Sequence, residues 1–195
     1  MLPFTVAIMA GGKSSRMGTN KAFVKIRNKP IVEHVLAKIE NLGQSETLLI
    51  TNRPDDYAHL GLPMVTDIIP NKASLGGIYT AIHMSKTLHT MVVACDMPFL
   101  NADLLRYMLK LATRPFDVVV PRVNGHPQGL HAIYKKNCLA PIYQRLEADR
   151  LKVIGFYDDV NVHYLDEAEY SRFDPKGMSF FNVNTPQDLK RAKEL

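Results

Sequence analysis

The sequence predicts an α/β fold in one domain, residues 1–195, with a mostly parallel sheet flanked by helices on both faces. Three observations point there. Short apolar runs alternate with amphipathic ones along most of the chain, which is the pattern of successive strand–helix units. The first such run, Thr5–Met9, is apolar throughout and ends in Gly11-Gly12, as suits a strand buried on both faces that enters a turn. The 195 residues, 46% hydrophobic and 22% charged, suffice for one full hydrophobic core and are too few for two ordinary domains. That composition excludes a disordered tail, a collagen-like repeat and a disulfide-stapled mini-protein.

Each element has a local reason. Pro30 fits a first helical position, and Ile31, Val32, Val35, Leu36 and Ile39 recur on one helical face until Gly43 closes the helix. Thr47–Thr51 and Met64–Thr66 read as strands, with a short helix or turn at Pro54–Leu60 between them. Gly76-Gly77 is expected to precede a helix over Ile78–Lys86. Met91–Ala94 is a fourth buried strand, stopping at Cys95-Asp96-Met97-Pro98. Asn101 is placed to cap a helix over Ala102–Ala112, and Asp117–Pro121 is strand-like again. Thr185-Pro186-Gln187-Asp188 matches a capping box with proline in the first turn, so a last helix fills the C-terminus.

The net charge of +5 is concentrated. Residues 1–30 hold six cations (Lys13, Arg16, Lys21, Lys25, Arg27, Lys29) and no acid; removing them from the 24 lysines and arginines leaves 18 against 19 acids. A diffuse basic surface would suggest nucleic acid, whereas a local one around a glycine turn suggests a small polyanion. The apolar start lacks a basic flank and a cleavage site, and no run reaches the ~18–20 apolar residues of a membrane span, so a cytoplasmic protein without membrane contact is expected. Cys95 and Cys138 have no metal-ligand spacing around them and read as reduced thiols.

Three constellations carry chemistry. Ala10-Gly-Gly-Lys-Ser-Ser-Arg-Met-Gly-Thr-Asn-Lys21 follows a buried strand; adjacent glycines let backbone N–H groups approach a ligand, and Lys13, Arg16 and Lys21 add the cations a triphosphate requires. It is neither a Walker A loop nor Gly-x-Gly-x-x-Gly, and the composition alone leaves open an ordinary turn with solvated charges. Asp96 ends a buried strand, where a carboxylate can either hold Mg²⁺ with phosphate oxygens or cap a turn; Asp67, after Met64–Thr66, poses the same choice. In Phe181-Asn-Val-Asn184, alternation puts Asn182 and Asn184 on one face, as ligand donors or as partners for the turn backbone. The histidines form no ligand cluster, and Asp158-Asp159 reads as a solvated turn.

The run Met9–Lys21 resembles the signature loop of nucleotidyltransferases that activate small phosphates with an NTP. Within that group the chain is most similar to the molybdenum cofactor guanylyltransferase family, which joins GMP to molybdopterin. Val65-Thr-Asp67, Ser74-Leu-Gly-Gly-Ile78, Ala94-Cys-Asp-Met-Pro-Phe99, His126-Pro-Gln-Gly-Leu-His-Ala-Ile-Tyr134 and Phe181-Asn-Val-Asn-Thr-Pro186 agree in order, over nearly the whole chain. The resemblance implies a Rossmann-like nucleotidyltransferase fold. It implies GTP held by the backbone of Met9, Ala10, Gly11 and Gly12, by Lys21 on phosphate, by Asp67 near the nucleoside and by Asp96. It implies Mg²⁺ on Asp96, Arg16 in catalysis beside Lys21 and Asp96, and Asn182 and Asn184 in the active site on the acceptor side. Molybdopterin would be the acceptor, and molybdoenzymes or other cofactor-biosynthesis proteins the partners.

The Ala10-Gly11-Gly12 form resembles the guanylyl enzymes; molybdopterin cytidylyltransferases typically carry alanine–alanine–glycine. A cytidylyltransferase, a sugar-1-phosphate nucleotidyltransferase and a nucleotide-responsive binding module are the alternatives. Three positions depart from the pattern: Met9 stands where leucine is usual, Asn20 where aspartate is common, and Ser74 where proline is usual.

Overall fold

A computed structural model describes residues 2–11 and 21–195. The strands are β1 (Phe4–Met9), β2 (Lys25–Ile26), β3 (Lys29–Pro30), β4 (Glu46–Ile50), β5 (Met64–Val65), β6 (His89–Ala94), β7 (Val118–Val123), β8 (His126–Pro127), β9 (His131–Lys135) and β10 (Val162–Leu165). The helices are α1 (Ile31–Ile39), α2 (Pro54–Tyr57), α3 (Ala73–Met84), α4 (Ala102–Ala112), α5 (Leu139–Glu147), α6 (Glu167–Tyr170) and α7 (Pro186–Glu194).

The main sheet runs β10-β7-β9-β6-β1-β4-β5, with β8 paired to β7. β1 is an interior strand beside the central β6, parallel to β4 on one side and to β6 on the other, and β5 continues parallel beyond β4. β9 is inserted antiparallel between β6 and β7, so the sheet is mostly parallel, as the strand–helix alternation implies. Every residue of β1 and β6 is buried, because helices cover both faces.

Alternation along β1 divides the core. Phe4, Val6 and Ile8 pack with Val32, Val35 and Ile39 of α1 and with Leu104, Leu105 and Met108 of α4. Ala7 and Met9 pack on the opposite face with Ile78 and Ile82 of α3 and Ile142 and Leu146 of α5. Truncating one such buried aliphatic side chain to alanine costs about 2–5 kcal/mol. A third, smaller cluster of Ile26, Ile31, Val183 and Ala192 fastens the β2–β3 hairpin and α7 beside the sheet.

The local signals hold where the determinant is local. Asn101 accepts from the N–H groups of Asp103 and Leu104 at 2.9 and 3.0 Å, and Thr185 and Asp188 form the reciprocal capping box. Other expectations differ. α1 ends at Ile39 and is followed by a turn before Gly43, so that glycine does not close the helix directly. Pro30 is the residue before α1, with ψ 145°, and not its first helical residue. α3 begins at Ala73 and contains Gly76 and Gly77, because neither position has room for a side chain: a Cβ on Gly76 would lie 2.7 Å from the Lys72 Cβ, and one on Gly77 would meet the Met9 methyl. Residues 181–184 form no strand; Val183 is buried and its N–H donates to the Asp96 carbonyl at 3.0 Å. Both cysteines are free, and Asp158-Asp159 form the exposed end of a 3-10 helix, Val153–Asp159, whose Phe156 and Tyr157 are buried; Asp159 lies 3.5 Å from Arg145.

Candidate active site

Ligands of open α/β sheets sit beyond the carboxyl ends of parallel strands. Here the ends of β6, β1, β4 and β5 stand side by side, and they present Asp96, Ala10-Gly11, Asn52 and Asp67 in that order. Three strand spacings, about 14 Å in all, separate the first from the last.

The β6 end is held from both sides. The Cys95 N–H donates to the Met9 carbonyl at 3.1 Å, and the Asp96 carbonyl accepts from Val183. Burial raises the Asp96 carboxyl above the usual carboxylate range, and the positive charge of Lys21 opposes that shift. The Lys21 Nζ donates to Asn184 Oδ1 at 2.7 Å, which brings the end of the glycine loop and the C-terminal segment to the same place as Asp96.

Asn184 owes its position to the helix cap that follows it. The Asp188 carboxylate accepts from the N–H groups of Asn184 and Thr185 at 3.1 and 2.8 Å and from the Thr185 hydroxyl at 2.8 Å. The Thr185 hydrogen bond and its neighbours hold Asp188 below the ordinary carboxylate pKa. The capping box therefore fixes a side chain that touches Lys21. Asn182 is half-buried on the same segment, two residues earlier.

At the β1 end the Ala10 N–H donates to the Ile50 carbonyl at 2.9 Å, and the Ala10 carbonyl accepts from the Thr51 and Tyr57 hydroxyls at 3.3 and 3.4 Å. Gly11 is exposed, with open space where a side chain would stand. Gly12, Lys13 and Arg16 lie outside the described residues.

At the β5 end Asp67 is clamped by Asn52. The Asn52 amide donates to Asp67 Oδ2 at 2.7 Å, and the Asp67 N–H donates back to Asn52 Oδ1 at 3.0 Å. The next N–H, from Ile68, donates to the Thr80 hydroxyl of α3 at 3.0 Å. Asn52 and Thr80 did not emerge from the sequence patterns. Asn52 carries the same signal as Asp67 and Asp96, a polar residue just past a strand end, whereas nothing local marks Thr80.

Among the described residues no three histidines, cysteines or acids come together as a metal cage. Asp96 is a lone, half-buried carboxylate with a cation nearby. That suits Mg²⁺ bound chiefly through substrate phosphate oxygens, since this metal needs only one or two protein carboxylates. Burial and the adjacent Asp96 push the Cys95 thiol up to about 12, so it stays protonated and is no nucleophile. Of two surface hollows of about 380 and 410 Å³, one lies against α1 and one between α3 and α5; neither is lined by Asp96, Lys21, Asn184 or Asp67, though the second reaches Ile68 beside Asp67.

Residues 6–160 match the family model described as a MobA-like NTP transferase domain. A probable molybdenum cofactor guanylyltransferase of Pelotomaculum thermopropionicum is 37% identical over 195 residues, covering 100% of this chain and 94% of that protein. One from Carboxydothermus hydrogenoformans is 35% identical, covering 100% and 98%. The crystal structure of molybdopterin-guanine dinucleotide biosynthesis protein A from Archaeoglobus fulgidus superimposes with a TM-score of 0.84 at 27% identity, covering 97% of each chain.

Proposed function

The chain belongs to the MobA-like NTP transferase family, and on that premise we propose that it transfers GMP from GTP to the phosphate of molybdopterin, with release of pyrophosphate. The observation that carries this reading is the meeting of Asp96, Lys21 and Asn184 at the carboxyl end of β6, next to the end of β1 and Gly11. Full-length likeness to molybdenum cofactor guanylyltransferases supplies the nucleotide and the acceptor. The Ala10-Gly11-Gly12 sequence supports GTP over CTP.

In the proposed reaction an oxygen of the molybdopterin phosphate forms a bond to the α-phosphorus of GTP. The bond from that phosphorus to the α–β bridging oxygen breaks, and pyrophosphate leaves with the electron pair. The acceptor phosphate is already anionic near neutral pH, so no strong general base is required. The obstacle is repulsion between two polyanions, which makes catalysis a matter of positioning and charge stabilisation. Lys21 neutralises phosphate charge, and its bond to Asn184 aims the ammonium. Arg16 is assigned the same task on the leaving group. Asn182 and Asn184 are assigned to the acceptor side. Exposed Gly11 offers backbone to the triphosphate, and Asp67 faces the nucleoside.

The family's chemistry implies a divalent metal ion. We assign it to Mg²⁺ on Asp96, where it would supply Lewis-acid stabilisation of phosphate charge. Among the described residues no helix is long and apolar enough to cross a membrane. A cytoplasmic location, with hand-over of product to molybdoenzymes or to other cofactor-biosynthesis proteins, belongs to the same proposal.

The test is pyrophosphate and dinucleotide formation by the purified protein with Mg-GTP and molybdopterin. Lys21→Ala and Asp96→Ala are expected to fold normally and to lose orders of magnitude in rate, and Arg16→Ala chiefly to slow turnover. A wild-type rate in Asp96→Ala with unchanged Mg²⁺ dependence would remove the metal assignment. Turnover of a sugar 1-phosphate in place of molybdopterin would overturn the acceptor.

A further inference from the structure

The helix that swallows Gly76 and Gly77 makes an unusual contact. Gly77 lies in the first turns of α3, where a glycine is less favourable to the helix than an alanine. The space in front of it is occupied from three sides. A Cβ built there would collide with the terminal methyl of Met9, stand 3.5 Å from Asp67 Oδ1 and 3.8 Å from the Ile50 side chain. Met9 reaches this point from the last residue of β1, on the face of the sheet covered by α3, and is buried. One small volume therefore collects the end of β1, the start of α3 and the carboxylate after β5.

The two oxygens of Asp67 have different neighbours. Oδ2 accepts from Asn52, and Oδ1 faces the volume shared by Met9 and Gly77. Asn52 fixes the carboxylate through Oδ2, and on the Oδ1 side the Met9 methyl fills the space that a Gly77 side chain would take. We infer that Met9 and Gly77 are a matched positioning pair that sets Asp67 at the nucleoside end of the site, so that they tune nucleotide affinity without touching the reacting phosphates. This rests on the guanylyl-transfer reading above. It also gives a physical role to the methionine that stands where leucine is usual: an unbranched thioether can reach into the space a missing side chain leaves, and its flexibility lets it fill an irregular gap.

Gly76 supplies the contrast within the same turn. A side chain there would strike the Lys72 Cβ at 2.7 Å and the Ile69 carbonyl at 3.2 Å, and has neither Met9 nor Asp67 among its nearest neighbours. Gly76→Ala should strain the helix start in a way no change at Met9 relieves.

The test is steady-state kinetics with varied GTP and saturating molybdopterin, joined to calorimetric binding of Mg-GTP, on five variants and the wild type. Gly77→Ala is expected to raise the KM and Kd for GTP about tenfold while kcat stays within about twofold. Met9→Ala is expected to raise both constants by about threefold, through a loosened Asp67. The double variant Gly77→Ala with Met9→Ala should bind GTP more tightly than Gly77→Ala alone, because the new methyl enters the space the thioether leaves. Gly76→Ala with Met9→Ala should show no such recovery.

Unchanged GTP affinity in Gly77→Ala would overturn the pair, and so would a double variant no better than Gly77→Ala. If Gly77→Ala does not fold, the double variant must regain folding, and failure to do so overturns the pair equally. A wild-type protein that turns over CTP and not GTP would overturn the guanylyl reading instead, and the pair would then be read with CTP.

Discussion

Asp96 and Asp67 present the same sequence signal, an aspartate just past a parallel strand, yet they stand in two different chemical environments. Asp96 follows β6, buried along its whole length at the middle of the sheet, and burial raises its pKa against the pull of Lys21. Asp67 follows β5, a two-residue strand at the sheet edge, and is met by a neutral amide in a reciprocal pair of hydrogen bonds. The depth of the preceding strand decides which kind of site its end becomes. The central strand here delivers a desolvated charge, which the proposed reaction gives to metal and phosphate, and the edge strand an oriented acceptor, which it gives to the nucleoside.

The largest effect that tests this contrast is on turnover. Asp96→Ala should reduce guanylyl transfer by about three orders of magnitude, whereas Asp67→Ala should raise the KM for GTP about tenfold with kcat little changed. Equal losses in kcat would erase the distinction.

The next effect is on stability, and it belongs to the desolvated end. His131 pairs with Val93 of β6, is fully buried, and packs edge-on against Phe180 at 5.1 Å between ring centres. Burial pushes its imidazole down to about 4, while the charge of Asp174 pulls the other way. The unfolded chain takes up this proton near pH 6.5, so the folded state is penalised as pH falls from about 6.5 to 4 and keeps full stability above that window. The shift corresponds to roughly 3 kcal/mol. His89, lowered chiefly by burial, acts with the same sign. Urea denaturation of wild type and His131→Phe at pH 7.5 and 5 measures it: the wild type should lose stability toward acid, and the variant should lose less. Parallel profiles would show that the imidazole is solvated.

Smaller still is the clamp at the edge. Asn52→Ala should raise the KM for GTP several-fold, about 1 kcal/mol, because Asp67 keeps its carboxylate and loses only its orientation. At the other end Asp96→Asn removes a carboxylate that is costly to desolvate. In metal-free protein at neutral pH it should raise Tm, by about 2–4 °C for each kcal/mol recovered, while activity collapses. A lowered Tm would mean that Lys21 more than offsets the burial.

Much of this was legible in the sequence, and the exceptions share a cause. β1, the stripe of α1, the Asn101 cap and the Thr185 box are set by neighbours within a few residues, and periodicity and capping chemistry read them directly. The glycine pair at 76–77 reads as a helix boundary because the reason for Gly77, the Met9 methyl, lies 68 positions away in the chain, although Gly76 is explained by Lys72 one turn earlier. Asn52 and Asp67 meet only because β4 and β5 are neighbours in the sheet. The antiparallel direction of β9 is likewise a property of packing order and not of composition. At the site, Asp96, Lys21 and Asn184 were identifiable one by one, while the bond from Lys21 to Asn184 joins residues 163 positions apart.

The central claim is that the carboxyl end of β6 is the place of guanylyl transfer. Pyrophosphate release with molybdopterin as acceptor, measured for the wild type and Asp96→Asn with GTP and with CTP, tests it most directly. The account predicts acceptor-dependent release from GTP, little from CTP, and near-complete loss in Asp96→Asn despite an intact fold. Preference for CTP, release without the acceptor, or an active Asp96→Asn would contradict it.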